Sequence, residues 1–155
     1  MGIEIERKFL VVSDAFKAEA ERSKAYRQGY MVGSGLASVR VRISGDEARL
    51  NIKSATLGVT RQEYEYPLPI EDARHMLDEL CAKPLIEKVR HYVRHGAHLW
   101  EVDVFEGDNA GLVVAEIELG AVDEAFERPA WLGDEVSDDP RYYNSNLGKH
   151  PYKDW

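Results

Sequence analysis

Over most of this chain, polar and apolar side chains alternate with a period of two. Ile3-Glu4-Ile5-Glu6, Val39-Arg40-Val41-Arg42, Leu50-Asn51-Ile52-Lys53 and Glu116-Ile117-Glu118-Leu119 are examples. A strand sends successive side chains to opposite faces, so this period encodes sheet with one polar and one apolar face. It predicts strands at about 3–12, 24–34, 37–44, 48–54, 60–67, 85–95, 98–106 and 112–120. Val32-Gly33-Ser34-Gly35, Ser44-Gly45-Asp46-Glu47 and Arg94-His95-Gly96-Ala97 read as hairpin turns. Parallel neighbours need long crossovers, so the strands form a mostly antiparallel meander.

Helical spacing is sparse. Ser13-Asp14 can cap a helix over about 14–22. After Pro69, the residues Ile70, Ala73, Met76, Leu77 and Leu80 fall on one helical face, and Pro84 ends the segment. A third helical stretch is expected after Gly120, and a last turn or two after Pro140. The chain has 155 residues, 44% of them apolar, with no repeat or linker, which predicts one domain over 1–155.

The polar faces carry the functional information. Two residues apart on one face stand Glu4, Glu6 and Lys8, then Arg40 and Arg42, then Arg49, Asn51 and Lys53. Arg61, Glu63 and Glu65 follow, then Lys88 and Arg90, Glu101 and Asp103, and Glu116 and Glu118. An ordinary wet sheet face is polar too, but it mixes Thr, Ser, Gln and Lys. Here like charges sit together, roughly 7 Å apart along each strand, which is unfavourable unless something lies between them.

Eight strands can close into a barrel. With the charged faces inward, the lining holds eight acids: Glu4, Glu6, Glu63, Glu65, Glu101, Asp103, Glu116 and Glu118. It holds six bases: Lys8, Arg40, Arg42, Lys53, Lys88 and Arg90. That leaves two net negative charges, which two divalent cations would turn into two net positive ones. Carboxylate pairs suit hard ions such as Mg²⁺ or Mn²⁺, and guanidinium and ammonium groups suit phosphate oxygens. Tyr30, on the face of Gln28, could donate to a phosphate or serve in the core.

Several classes are excluded or weak. The formal net charge of −8 argues against binding duplex nucleic acid by bulk attraction. No stretch approaches the roughly 20 apolar residues of a membrane helix. The N-terminus lacks the pattern of a signal peptide, so a cytoplasmic protein is expected. The single Cys81 excludes an internal disulfide and suits packing at a helix end. His91, His95 and His98 surround one turn and need not share a face, and no phosphate-loop motif occurs.

The opening Glu4-Ile5-Glu6-Arg7-Lys8 resembles the E-x-E-x-K signature of the CYTH proteins, or triphosphate tunnel metalloenzymes. Arg40-Val41-Arg42, Lys53, Glu63-Tyr64-Glu65, Lys88-Val89-Arg90, Glu101-Val102-Asp103 and Glu116-Ile117-Glu118 follow in the family's order. The tail from Tyr142 to Tyr152 looks like that of the bacterial inorganic triphosphatase branch. The resemblance implies an α+β fold: an eight-stranded antiparallel closed barrel, a tunnel with flanking helices. It implies a small-molecule triphosphate substrate and a divalent cation, Mg²⁺ or Mn²⁺, and a homodimer is compatible with it. Glu4, Glu6, Asp103, Glu116 and Glu118 become expected metal ligands, and Lys8, Arg40, Arg42, Lys53, Lys88 and Arg90 expected substrate ligands. Lys8 and Tyr30 are the expected catalytic groups, with Glu63, Glu65 and Glu101 in support. The favoured reaction is hydrolysis of tripolyphosphate to phosphate and pyrophosphate. Thiamine triphosphatase, class IV adenylate cyclase and a non-catalytic polyphosphate- or nucleotide-binding module are the alternatives.

Overall fold

Alternation becomes long antiparallel strands in the computed structural model, which describes residues 2–33, 35–55 and 59–155. The chain runs through β1 (Gly2–Val11), a single turn α1 (Phe16–Glu19), β2 (Arg22–Gly33), β3 (Ala37–Ser44), β4 (Glu47–Ser54) and β5 (Thr60–Leu68). Helix α2 (Ile70–His75) then leads to β6 (Ile86–His95), β7 (His98–Phe105), β8 (Val113–Leu119), a short β9 (Leu132–Glu135) and α3 (Asn144–Lys149). The predicted turn at 32–35 includes Ser34, which lies outside the described residues.

The strands are ordered β5-β4-β3-β2-β6-β7-β8-β1, and β1 pairs back with β5 to close the barrel. There are thus two meanders, β2 to β5 and β6 to β8, rather than one. They join where β2 meets β6, with Lys24 opposite Arg90 and Tyr26 opposite Lys88. Strand β1 is the closing stave: Gly2 to Ile5 pair with β5, and Ile5 to Leu10 pair with β8. Past the reach of β5, β9 takes over that edge, pairing Phe9 with Glu135 and Val11 with Leu132. Closure and the added strand leave few unpaired backbone groups to invite another chain.

Three helical expectations need correction. Helix α1 covers one turn instead of 14–22, because the β2 ladder claims the chain from Arg22, opposite Tyr92. After His75, Met76–Leu80 winds as a wider π-helix, and the Cys81 N–H donates to the Met76 carbonyl at 3.0 Å. This five-residue closure keeps Ala73 and Leu77 buried but turns Leu80 outward, 58% exposed. Residues 121–130 form a turn and an irregular strap, not a helix. The strap is tied at its start by Glu124, whose carboxylate accepts from the Gly120 N–H at 2.7 Å and meets His98 Nε2 at 2.5 Å. Strand β9 that follows carries no alternation signal of its own.

The apolar strand faces point outward and are covered in three places. Phe9, Phe16, Trp100, Val102, Ile117 and Trp131 form a cluster, with Phe126 of the strap edge-on to Phe9 at 5.9 Å and to Trp100 at 5.6 Å. Val41, Ala48, Ala73, Leu77 and Cys81 pack under α2. The approach is close there: a Cβ at Gly29 would lie 2.8 Å from Cys81 Cβ and 2.7 Å from Leu85 Cδ2. Ile86, Phe105, Leu112, Val114 and Leu147 pack under the C-terminal tail. Burying the outer faces against these covers leaves the polar faces no choice but the lumen.

Candidate active site

The lumen is a cavity of about 190 Å³. Seven carboxylates line it, from Glu4, Glu6, Glu63, Glu65, Glu101, Glu116 and Glu118. Six cations face them: Lys8, Arg40, Arg42, Lys53, Arg61 and Arg90. The remaining lining is Tyr26, Tyr30, Ser38, Asn51, Tyr143, Asn144 and Ser145. Strand order sorts the charges into two arcs. Strands β7, β8, β1 and β5 are contiguous and mostly acidic; β4, β3, β2 and β6 are contiguous and basic or aromatic.

Ion pairs close the seams between the arcs. At one seam Lys53 Nζ lies 3.2 Å from Glu4 Oε1 and 3.4 Å from Glu63 Oε2. Burial opposes the charge on Lys53, but Glu6, Glu4 and Glu63 outweigh it and raise the ammonium pKa. Beside it, Asn51 Nδ2 donates to Glu65 Oε2 at 2.6 Å. At the other seam Arg90 Nε meets Asp103 Oδ1 at 2.7 Å, and its Nη1 meets Glu101 Oε2 at 2.8 Å. Lys88 Nζ meets Asp103 Oδ2 at 2.7 Å and donates to Asn144 Oδ1 at 3.3 Å.

Lys88 and Asp103 are therefore beneath the lumen surface and engaged with each other. Burial pulls the Lys88 ammonium down to about 7 despite that partner. Burial would raise the Asp103 carboxyl, but Arg90 and Lys88 hold it below the usual carboxylate range.

The centre of the basic arc differs. Arg40 and Arg42 have no carboxylate within 4.0 Å among the described residues, and Arg40 Nε is buried with no hydrogen-bond partner. Arg42 Nε donates to Gln28 Oε1 at 3.1 Å. Burial, then the Arg40 and Arg90 charges, brings the Arg42 guanidinium down to about 10. Tyr26 lies among these cations, its ring centre 4.8 Å from both Arg42 Cζ and Arg90 Cζ, and its hydroxyl meets that of Tyr92. Tyr30 reaches the lumen opposite Arg40 and also rests on the core beneath the tail.

The acidic arc has the opposite problem. Glu6 stands directly across from Glu118, and Glu101 from Glu116. Like charges so placed are costly without a cation between them. Burial, then the Glu116 charge, drives the Glu6 carboxyl well above its ordinary range. Burial raises Glu4 and Glu118 too, with neighbouring carboxylates adding to it. Burial also opposes the charge on Glu116, but Lys8, Arg90 and Lys88 prevail and hold it well below the usual range. Lys8 Nζ lies 3.6 Å from Glu116 Oε1 and donates to the Tyr142 carbonyl at 3.0 Å.

Among the described residues no three acidic or imidazole groups converge as a ready-made metal cage. The donor set does fit a hydrated hard cation. Such ions keep several waters and use only one or two carboxylates plus substrate phosphates. Paired oxygens at Glu6 and Glu118, with Glu4 and Glu116 beside them, offer that kind of seat.

Reading the strands by parity had already gathered most of the lining. It gave no role to Tyr26, Asn51 or Arg61, although all three share the parity of the charged residues. Asn144 and Ser145 come from the tail, where no alternation exists to flag them.

A closed antiparallel barrel that opposes carboxylates to guanidiniums is a tunnel able to hold an anion and cations together. Residues 2–143 match the CYTH domain, and the chain belongs to that family. It is 48% identical over 155 residues to the inorganic triphosphatase of Acetivibrio thermocellus, spanning 100% of this chain and 99% of that protein. It is 35% identical over 148 residues to the inorganic triphosphatase of Nitrosomonas europaea, spanning 93% and 95%. A crystal structure of an inorganic triphosphatase superposes with a TM-score of 0.67 at 32% identity, covering 94% of this chain and 97% of the other.

Proposed function

We propose that this chain hydrolyses inorganic triphosphate to phosphate and pyrophosphate in its tunnel, with Mg²⁺ or Mn²⁺ bound. The observation that carries the reading is the unpaired centre of the basic arc. Buried guanidiniums without a counter-charge are costly, and Arg40 and Arg42 form a planar, forked seat for anionic oxygens. Relatives named inorganic triphosphatases, similar over nearly the whole chain, support the same substrate.

Arg40 and Arg42 grip the phosphate chain and stabilise the charge that spreads over the transferred phosphoryl oxygens. Arg90 and Lys53, already anchored by acids, extend that grip towards the seams. Lys8, among the carboxylates, is placed to hold the terminal phosphate or the attacking water. Glu4, Glu6, Glu116 and Glu118 would hold the cation. Bound there, a divalent ion supplies Lewis acidity to phosphate oxygens and lowers the pKa of a coordinated water. Asp103, with both oxygens taken, fixes Arg90 and Lys88 rather than reaching the ion. Glu63, Glu65 and Glu101 orient Lys53, Asn51 and Arg90. Tyr30 is within the lumen to donate to a phosphate oxygen.

The described lining is charged or polar apart from its tyrosine rings, so it offers little apolar surface to an adenine or a thiazolium. That favours the inorganic substrate over ATP and thiamine triphosphate. The test is phosphate release from tripolyphosphate, pyrophosphate, ATP and thiamine triphosphate, with Mg²⁺ and in EDTA, checking the ATP products for cyclic AMP. Tripolyphosphate should give the highest kcat/KM, and only with metal. Preferential turnover of ATP or thiamine triphosphate would overturn the substrate; binding with no turnover would make the tunnel a binding module.

A further inference from the structure

Among the described residues, the acidic arc contains one cation that no carboxylate claims. Arg61 of β5 lines the lumen directly across from Glu4 of β1, with Glu63 and Glu65 on its own strand. Among the described residues its guanidinium lies within 4.0 Å of no carboxylate, although Lys53, on the adjacent strand β4, pairs with both Glu4 and Glu63. Arg61 Cζ instead sits 4.6 Å from the ring centre of Tyr143, in the C-terminal segment. Lys8 Nζ lies 5.5 Å from the same ring centre. The ring is itself pinned: its hydroxyl donates to the Ser137 carbonyl at 2.9 Å, and the Ser137 hydroxyl accepts from the Lys8 N–H at 2.9 Å. An aromatic face attracts a cation without neutralising it. A ring held this way keeps Arg61 off the nearby carboxylates, with its donors still available to an anion.

We propose that Arg61 is a further phosphate-binding residue, seated by Tyr143, and that it takes the phosphoryl group lying nearest the C-terminal segment. The proposal rests on the triphosphatase reading and adds a contact to it. Arg61 touches substrate; Tyr143 is a positioning residue that acts through Arg61 and Lys8. The tail is thereby part of the substrate site, and its removal would cost affinity as well as packing.

The test compares Arg61→Gln, Tyr143→Leu, Tyr143→Phe and the double variant Arg61→Gln/Tyr143→Leu. KM and kcat are measured on tripolyphosphate with Mg²⁺, binding of tripolyphosphate by calorimetry in EDTA, and folding by Tm. Losing one charge-assisted contact to substrate should raise KM and the dissociation constant about tenfold or more, with kcat changed far less. Tyr143→Leu should reproduce much of that rise, while Tyr143→Phe, which keeps the ring, should restore near-normal KM. In the double variant, Tyr143→Leu should add little to Arg61→Gln. Unchanged KM and binding in Arg61→Gln overturns the contact. Full additivity in the double variant, or normal KM in Tyr143→Leu, overturns the positioning role. If Tyr143→Leu does not fold, the contrast of Tyr143→Phe with Arg61→Gln still decides the contact. A wild-type protein that binds tripolyphosphate but releases no phosphate defeats the triphosphatase reading alone, and the binding arm still judges Arg61.

Discussion

The two arcs of the lumen are built on the same strand geometry and reach opposite electrostatic states. The basic arc is paired at its ends and unpaired in the middle: Lys53 and Arg90 bond acids across the seams, whereas Arg40 and Arg42 have none among the described residues. The acidic arc faces carboxylate against carboxylate, Glu6 across from Glu118. Seam pairs satisfy one another and lock neighbouring strands. Mid-arc groups are left in surplus on both sides, an anion seat facing a cation seat. On the proposed function, the difference separates charges that hold the barrel together from charges kept for ligands.

The largest effect should come from emptying the cation seat. In EDTA, or in Glu116→Gln at saturating Mg²⁺, kcat should fall by about 1,000-fold, ~4 kcal/mol, since a bound ion stabilises charge mainly in the transition state. Near-normal kcat in Glu116→Gln would remove that residue from the acidic arc's function. A seam charge should behave differently. Asp103→Asn leaves Lys88 buried without its anion and Arg90 with Glu101 alone, so stability should drop by about 3 kcal/mol, or roughly 10 °C in Tm. An unchanged melting curve would show that the seam does not secure the barrel.

Arg40→Gln sharpens the contrast from the other side. It should lower kcat/KM by about 100-fold, ~2.7 kcal/mol, while Tm holds or rises, because an unpaired buried charge has been removed. A falling Tm with intact kinetics would make Arg40 a structural residue. The smallest effect belongs to a charge outside the tunnel. Arg7 Nη2 meets Glu135 Oε1 at 2.6 Å, and this bond holds the Glu135 carboxyl below its usual range. A depressed carboxyl contributes stability above its unfolded value of about 4.5, and that contribution disappears as the pH falls below it. Glu135→Gln should therefore cost under about 1 kcal/mol at pH 7 and nothing in strong acid, measured by urea titration. It should leave kcat and KM alone.

Much of the site was legible before any coordinates because lumen and outer face differ by one step in sequence. Glu4, Arg42, Lys53, Arg90 and Glu116 share a parity on separate strands, and each lines the tunnel. Asn51 and Arg61 carried the same mark, but a neutral amide and a lone arginine beside acids gave no charge pair to notice. Tyr143 had no mark at all, since its ring enters from an irregular tail. Leu80 failed for a local reason: a single π-helical closure shifted it off the face that helical spacing assigned. Strand β9 is only four residues long and forms because the end of β1 extends past β5.

By itself the sequence determined which way each strand side chain faces, since the two-residue period is a property of single strands and needs no partner. It also determined that the inward faces are charged and segregated by sign. Only the tertiary structure decided which charged face stands beside which. Strand β2 pairs with β6, which lies beyond β3, β4, β5 and α2 in sequence, and β1 closes against both β5 and β8. Those pairings join residues as far apart as Lys8 and Glu116. Closure of the ring, driven by burying the outer apolar faces, gathered the acids into one arc and the bases into another, and no local period encodes that neighbourhood.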